Sequence, residues 1–400
     1  MPLPAVSISL QNGGLGRVAA QDDRVMGLIF HGIATTVAER LPRQFFSYAD
    51  VATVVNGLVA NDNTNKTLIL EQVADFYRLA GEGAELWALF ADTALATSAL
   101  FDPAQATAPA RVLMEASGGR INVIGYSRQK ASAALTSGFS DEVSAAIINA
   151  HTFGQAMSFL NMPCRIVLDG HAFTGDSALL PTLRAYTANR VAVVLSRTGS
   201  TIPGVLGACV GLVMGRLAGT SVQRNLGRVA DGSVAASAFF TPTGALIRTL
   251  SRGMLTNIHD KGYIFLTSHY GRNGYFFNDD PVAAPLTDDF FCLSNGRVID
   301  KAARVAYATY LGDLLDNVTV NVETGRIVPS TLKFYQGKIE RAINLTMTNQ
   351  SEISGCTAFV DPTQDVLGTS QLNVVLNLVP VGTNRNIVVR LGLTNPTLRQ

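Results

Sequence analysis

Near its end the chain reads QLNVVLNLVPV, breaks at GTNRN and resumes as IVVRLGL. Leu372, Val374, Leu376 and Leu378 fall on alternate positions of the first run, and Ile387, Val389, Leu391 and Leu393 on alternate positions of the second. Hydrophobic residues at period two mark strands. The short polar link, with Pro380 and Gly382 as breakers, predicts a hairpin. At the other end AVSISL sets Val6, Ile8 and Leu10 against Ser7 and Ser9, a third strand pattern. It runs into QNGGLGRVAAQDDR, whose composition is that of a flexible connector hinged around Gly13 to Gly16. An exposed apolar strand is a template for pairing with another chain. Two arrangements stay open: each terminal strand folds back onto its own domain, or it completes the sheet of a neighbour by strand addition.

Between these ends the pattern alternates. VMGLIFHG predicts a buried strand, FSYADVATVVNGL a helix entered through Ser47 or Asp50, and KTLILEQVADFYRLAG an amphipathic helix closed by Gly81. ELWALFAD and GGRINVIGYSR follow as strands, SDEVSAAIINAHTFGQAMSFLNM as a helix, and CRIVLDG and NRVAVVLSR as strands. Strands alternating with helices predict an open α/β sheet up to about residue 200. Residues 204–250, rich in Gly, Ala and Ser, predict a loop-and-helix region. Beyond it come a helix in LIRTLSRGMLTNIHDKG, a strand in YIFLTSHY, and helices in VIDKAARVAYATYLGDLL and LKFYQGKIERAINLTM. The resulting division is an arm and connector over 1–22, an α/β domain over 23–250, an α+β domain over 251–385 and a second arm over 386–400.

Composition narrows the function classes. A chain of 400 residues with 47% hydrophobic content has material for two or three domains with real cores. Its 31 basic and 30 acidic residues nearly cancel, and charged residues make up only 15%, against about a quarter in ordinary globular proteins. Neither a nucleic-acid nor an anionic-membrane partner is indicated, and low charge with high apolarity points to surface covered by other copies of the protein. Cys164, Cys209, Cys292 and Cys356 have no CxxC or ligand spacing and read as buried thiols in a reducing compartment. The N-terminus has no signal-peptide pattern, and GVLGACVGLVMG is too short to span a bilayer.

Site signatures are largely missing. The sequence has no GxxxxGK[ST], HExxH or GxSxG, and NGGLGR at 12–17 lacks the helix opening that would cradle a phosphate. Asp169, His171 and Asp176 in LDGHAFTGD follow a strand, where an α/β enzyme can place catalytic groups, yet no nucleophile or metal partner accompanies them. Asp279 with Asp280, and Asp288 with Asp289, lack calcium-loop spacing and read as solvated loop acids. The aromatic residues of GYIFLTSHYGRNGYFFND lie beside acids rather than in a basic field, so core and interface packing is the better reading. Lys333, Lys338 and Arg341 form a modest basic stripe on one helix. No catalytic, metal or cofactor site emerges, and no cofactor is expected.

The order of these segments resembles a contractile phage-type tail sheath protein. The likeness rests on ADFYRLAGEGAELWALF, on GVLGACVGLVMGRLAG followed by NLGRVADGSV, on LSNGRVIDKAARVAYATYLGDLL with Arg297 and Arg304, and above all on QLNVVLNLVPVGTNRNIVVRLGL. Two departures stand out: a Pro-Ala-Asn element is missing, and the break carries Asn384, Arg385 and Asn386 where sheaths often have an acidic residue. The resemblance implies an outer α/β domain, an inner C-terminal sheath domain, and inter-subunit arms that donate strands to neighbours, with Val6, Ile8, Leu10, Val374, Leu376, Leu378, Ile387, Val389 and Leu391 as the arm residues. It implies a non-enzymatic subunit of a helical or stacked hexameric array around an inner tail tube, with baseplate and tail terminator proteins as further partners and Lys333, Lys338 and Arg341 facing the tube. Assembly would occur in the host bacterial cytoplasm, and the product would be a virion tail or contractile injection particle. An α/β enzyme using the Asp169, His171 and Asp176 region, and a tube or baseplate protein, are the alternatives.

Overall fold

The structure is a computed structural model that describes residues 23–31, 41–58, 68–92, 94–128, 141–173, 175–198, 207–240 and 246–393. The chain forms strands β1 (Met26–His31) and β2 (Arg43–Phe45), then helices α1 (Tyr48–Leu58) and α2 (Ile69–Ala80). Ser47 caps α1 by accepting from the Asp50 amide, and Gly81 ends α2 at φ 86°, a conformation glycine adopts without strain. Then come β3 (Leu86–Ala91), α3 (Pro109–Ala116), β4 (Val123–Arg128), α4 (Asp141–Phe159), β5 (Arg165–Asp169) and β6 (Val191–Val194). These strands form one six-stranded sheet in the order β2-β3-β1-β4-β5-β6, parallel except for β2. This is a doubly wound α/β layer, and its core strands read as near-continuous apolar runs because both faces are covered.

A short pair of strands, β7 (Ser196–Arg197) and β8 (Phe239–Phe240), flanks helix α5 (Val210–Gly219) in sequence. Helix α5 lies against α2 so closely that a Cβ on Gly211, Gly215 or Gly219 would sit 2.0, 2.5 or 2.4 Å from the carbonyl oxygens of Gln72, Phe76 or Leu79. The small-residue run is therefore a helix-packing face.

Helix α6 (Arg252–Asp260) and the two-residue strands β9 (Leu266–Thr267) and β10 (Phe276–Phe277) follow. Most of the strand expected in YIFLTSHY is irregular. Its Ile264 instead exchanges backbone hydrogen bonds with the β6 edge, the Ile264 amide donating to Val193 and the Leu195 amide to Ile264. Ile258, Tyr263, Phe265, Tyr275, Phe277 and Val282 all pack in the first core, which runs in sequence from Val25 to Leu293. The first core thus continues past residue 250 to Leu293, while the second joins Val222 to residues from Val298 onward.

Helix α7 (Leu293–Tyr310) opens the second unit, followed by α8 (Pro329–Ile343), β11 (Ile353–Val360) and β12 (Val374–Pro380). Its core joins Val298, Ala302 and Val305 of α7 to Ile339, Ala342, Ile343, Met347 and Ile353. The terminal hairpin expected from the sequence is not formed. Strand β12 pairs antiparallel with β11, and residues 384–393 have no strand partner among the described residues.

Candidate assembly interface

Strand β12 turns Val374, Leu376 and Leu378 toward the second core, as their alternation required, but they remain only partly buried. On the other face the cross-strand pair Phe359 and Val375, with Val379, is more than half exposed. The sheet has two strands, so each presents one edge that no described strand covers. Unpaired edges carry free amide and carbonyl groups that accept a further strand. Beside β12 runs a groove of about 790 Å³ lined by Tyr310, Leu314, Tyr335, Leu372, Val374 and Leu376. Leu315, at its rim, is 97% exposed with φ +66°, a conformation that costs a non-glycine residue about 1–3 kcal/mol.

The C-terminal segment is the complementary feature. Ile387, Val389, Leu391 and Leu393 keep their strand alternation and are each at least 71% exposed. Its root is fixed: Arg385 pairs with Asp279 at 3.1 Å and Asp280 at 3.4 Å, and its guanidinium lies 4.9 Å from the centre of the Phe291 ring. Asp279 and Asp280 are therefore buried partners, not solvated acids; Asn225 donates to both, and Asp280 also accepts from the Ser294 amide at 2.8 Å. Asp288 likewise accepts from Asn189, while Asp289 is exposed. Val6, Ile8 and Leu10 lie outside the described residues.

On α8, Lys333 and Arg341 are exposed, whereas Lys338 is committed to Asp313 at 2.6 Å. The basic stripe thus offers two free-facing cations and one internal ion pair. Between Lys333 and Arg341 sits Gly337, exposed, and a methyl group added to its Cα would meet no described atom within 4 Å.

The other candidate cluster has a different character. Asp169 ends β5, fully buried, and accepts from the amides of Arg128 at 3.1 Å and Ala208 at 2.7 Å. Burial pushes its carboxyl up to about 7 despite those donors. His171 is buried, and its ring nitrogens have no hydrogen-bond partner among the described residues. Burial, with Arg128 and His31 adding to it, pushes its pKa down to about 3. Asp176 is exposed and holds a turn by accepting from the Ala178 amide. The three are not brought into one catalytic constellation. Around them, at the carboxyl ends of β1 and β4 where the strand order reverses, His31 bonds Tyr126 and Leu95, and Arg128 pairs with Glu142. Open α/β sheets commonly bind ligands at this position; here the protein's own side chains fill it. Among the described residues no group of acids, histidines and cysteines is arranged to hold a metal ion, and no described helix is long and apolar enough to cross a membrane.

Two family models divide the chain between them: the DUF2586 N-terminal domain matches residues 3–281 and the DUF2586 C-terminal domain residues 289–398. The chain belongs to the DUF2586 family. The second model begins at residue 289, just before helix α7, which carries Val298, Ala302 and Val305 of the second core. No curated protein matches. Among solved structures, the helical sheath of the anti-feeding prophage in its contracted state matches with TM-score 0.64 at 13% identity, covering 98% of this chain and 100% of that one. The sheath complex of the extracellular contractile injection system PVC, also contracted, matches with TM-score 0.60 at 11% identity, over 100% of this chain and 99% of that one. A sheath tail protein from Desulfitobacterium hafniense gives TM-score 0.51 at 10% identity, over 94% and 100%. The DUF2586 chain thus has the two-domain fold of contractile tail sheath proteins from end to end.

The sequence reading singled out Arg297 and Arg304 as marks of the resemblance, but it missed their role in joining the two units and missed Asp300 and Lys301 beside them. Arg297, Asp300, Lys301 and Arg304 recur on one side of α7 at helical spacing, and all four are buried. Arg304 donates to the carbonyls of Gly119, Ile121 and Pro163, Arg297 to that of Leu217, and Asp300 pairs with Arg165 at 2.6 Å. The signal was present: α7 has an apolar stripe and, on another side, four charges too regular for a solvated face.

Proposed function

We propose that this chain is the structural, non-enzymatic subunit of a contractile tail sheath, which polymerises around an inner tube and shortens to drive it through a target envelope. The observation that carries the reading is a likeness in fold along the whole chain to proteins solved in contracted sheaths. Two local features agree with it: a small sheet with open edges, and an apolar C-terminal strand pattern left exposed. Residues 1–22 and 386–400 are the arms, and Val6, Ile8, Leu10, Ile387, Val389 and Leu391 are the side chains that enter neighbours' sheets beside Val374, Leu376 and Leu378. Three fully buried apolar side chains supply about 5–9 kcal/mol per arm before ordering costs. That holds a lattice together while the subunits move as bistable rigid bodies.

The partners in this reading are copies of the chain, an inner tube protein, and baseplate and terminator proteins at the two ends. Assembly takes place in the host bacterial cytoplasm. Lys333 and Arg341 face the tube. A protein lacking residues 1–12 should keep its thermal transition and lose tube formation in negative-stain micrographs. Normal tubes from the truncated chain would refute the linking-arm model, and uniform small particles from the full chain would return the enzyme reading to favour.

A further inference from the structure

We propose that helix α7 anchors both terminal segments of the chain through separate ion-pair clamps, so that tension applied at one end of the subunit reaches the other through this helix. The proposal rests on the sheath reading for the source of that tension, but the anchoring itself stands on contacts within one chain.

At the amino-terminal root, Asp23 is the first described residue. It pairs with Lys301 of α7 at 2.5 Å, and the same ammonium pairs with Glu352 at 2.6 Å, immediately before β11. Lys301 and Glu352 are almost wholly shielded from water. At the carboxyl-terminal root, Arg385 is held by Asp279 and Asp280, and Asp280 is held in turn by the first turn of α7, accepting from the Ser294 amide through its side chain and from the Leu293 amide through its carbonyl. A carboxylate at a helix N-terminus is favoured by the free amides and the dipole there. The helix is itself fixed to the first core through Arg165 with Asp300 and through the three carbonyls bound by Arg304. One rigid element therefore carries both roots, with opposite charge sense: an acid on the leaving chain at one clamp, a base at the other.

The carboxyl-terminal clamp marks a fixed point within an exposed stretch of chain. Val381 to Asn384 line a polar cavity of about 680 Å³ with Gln223, Asn225 and Asn278, and they are exposed like the segment beyond Arg385. Arg385 fixes where the segment leaves the body, and hence which neighbouring surface it reaches. It acts as a positioning residue.

The test uses the full chain and three variants, Asp23→Asn, Arg385→Gln and the double variant, with Arg385→Lys as the conservative control. A nitroxide at Asn384→Cys, in a Cys356→Ala background, reports the mobility of the carboxyl root in the unassembled protein against the same label at Leu393→Cys. Exchange of the Val25 and Met26 amides reports the amino root. The expected result is a broad spectrum at 384 that narrows to that of 393 in Arg385→Gln and partly recovers in Arg385→Lys. Exchange at 25 and 26 should be at least tenfold faster in Asp23→Asn. Tubes should be shorter and break more readily under shear in each single variant, and be absent in the double one. A label at 384 already as mobile as at 393, or unchanged amide exchange in Asp23→Asn, overturns the anchoring. Loosened roots with tubes of normal length and shear resistance overturn the path through α7. A wild-type chain that builds no tubes refutes the sheath reading and the tension with it, while the spectra and exchange rates still decide whether the clamps exist.

Discussion

The α/β core and the two smaller clusters of the second unit, one around Ile339 and one around Leu332 and Tyr335, are finished to different degrees. In the first, β1, β3, β4, β5 and β6 lie buried under helices, and one sheet edge is extended by β2 while the other receives Ile264. In the second, β11 and β12 have outer edges that no described strand covers, the inward residues of β12 are half covered, and Phe359, Val375 and Val379 face water. Two strands without further cover are marginal on their own. Among the described residues the first core is covered on both faces of its sheet, whereas the second leaves one face and both outer edges of its sheet bare. In the sheath reading proposed above, the first unit keeps its shape and the second binds neighbours through its sheet.

The largest consequence is a difference in how the two units respond to truncation of a strand residue. Leu28, fully buried in β1, should cost about 2–5 kcal/mol as Leu28→Ala, because the cavity adds to the lost transfer energy. Val375→Ala in β12, where the side chain is 52% exposed, should cost well under about 1 kcal/mol in the unassembled protein, as surface substitutions do. It should nevertheless reduce tube yield. Denaturant unfolding and sedimentation of the two variants read both effects. If Val375→Ala destabilises the isolated chain as much as Leu28→Ala, the second sheet is already complete and the contrast fails.

This contrast also explains what could be seen in the sequence. The first unit was legible because parallel strands covered on both faces read as apolar runs and their helices are capped by ordinary residues such as Ser47 and Gly81. Strand β11 was not, because ISGCTAFV places Gly355, Cys356, Thr357 and Ala358 where alternation should show. The false hairpin has a physical cause as well: alternation in 387–393 says which face is apolar and is silent on whose surface will cover it. Asp279 and Asp280 looked like loop acids because their partner, Arg385, lies about a hundred residues away in sequence.

A smaller effect sharpens the view of the first core as a closed body. Asp169 is raised from an ordinary 3.8 to about 7, so between those values the folded chain keeps a proton that the unfolded chain has lost. Stability from this group therefore declines as pH rises from about 4 to 7. His31 and His171 are lowered from 6.5 to about 4 and about 3 by burial, with Arg128 adding to it. They act in the opposite sense, since the unfolded chain takes up protons first as pH falls below 6.5. In the wild type these slopes partly cancel between about 4 and 6.5. Asp169→Asn should remove one of them, so its unfolding free energy should fall on acidification more steeply than the wild type's by about 1.4 kcal/mol per pH unit. Parallel profiles from about pH 4.5 to 7 would mean that Asp169 is ionised in the folded protein and the site is open to water.

The smallest effect on stability bears on how the second unit meets a partner other than itself. Gly337 occupies the middle of α8 with open space around it, although glycine there is worth about 1 kcal/mol less than alanine. No packing among the described residues requires it, whereas close approach of another backbone would. Lys333 and Arg341, one turn to either side, give that face its charge, while Lys338 already serves Asp313. Exposed ion pairs contribute about 0–1 kcal/mol each, a strength suited to a contact that must release. Gly337→Ala should raise the midpoint of thermal unfolding slightly and weaken binding to the tube protein. Lys333→Glu with Arg341→Glu should leave the midpoint unchanged and weaken that binding more at low salt than at high. Both sets should still self-assemble. Unaltered tube binding in both would move the contact off this face of α8, and the strained, exposed Leu315 at the rim of the neighbouring groove would be the next residue to change.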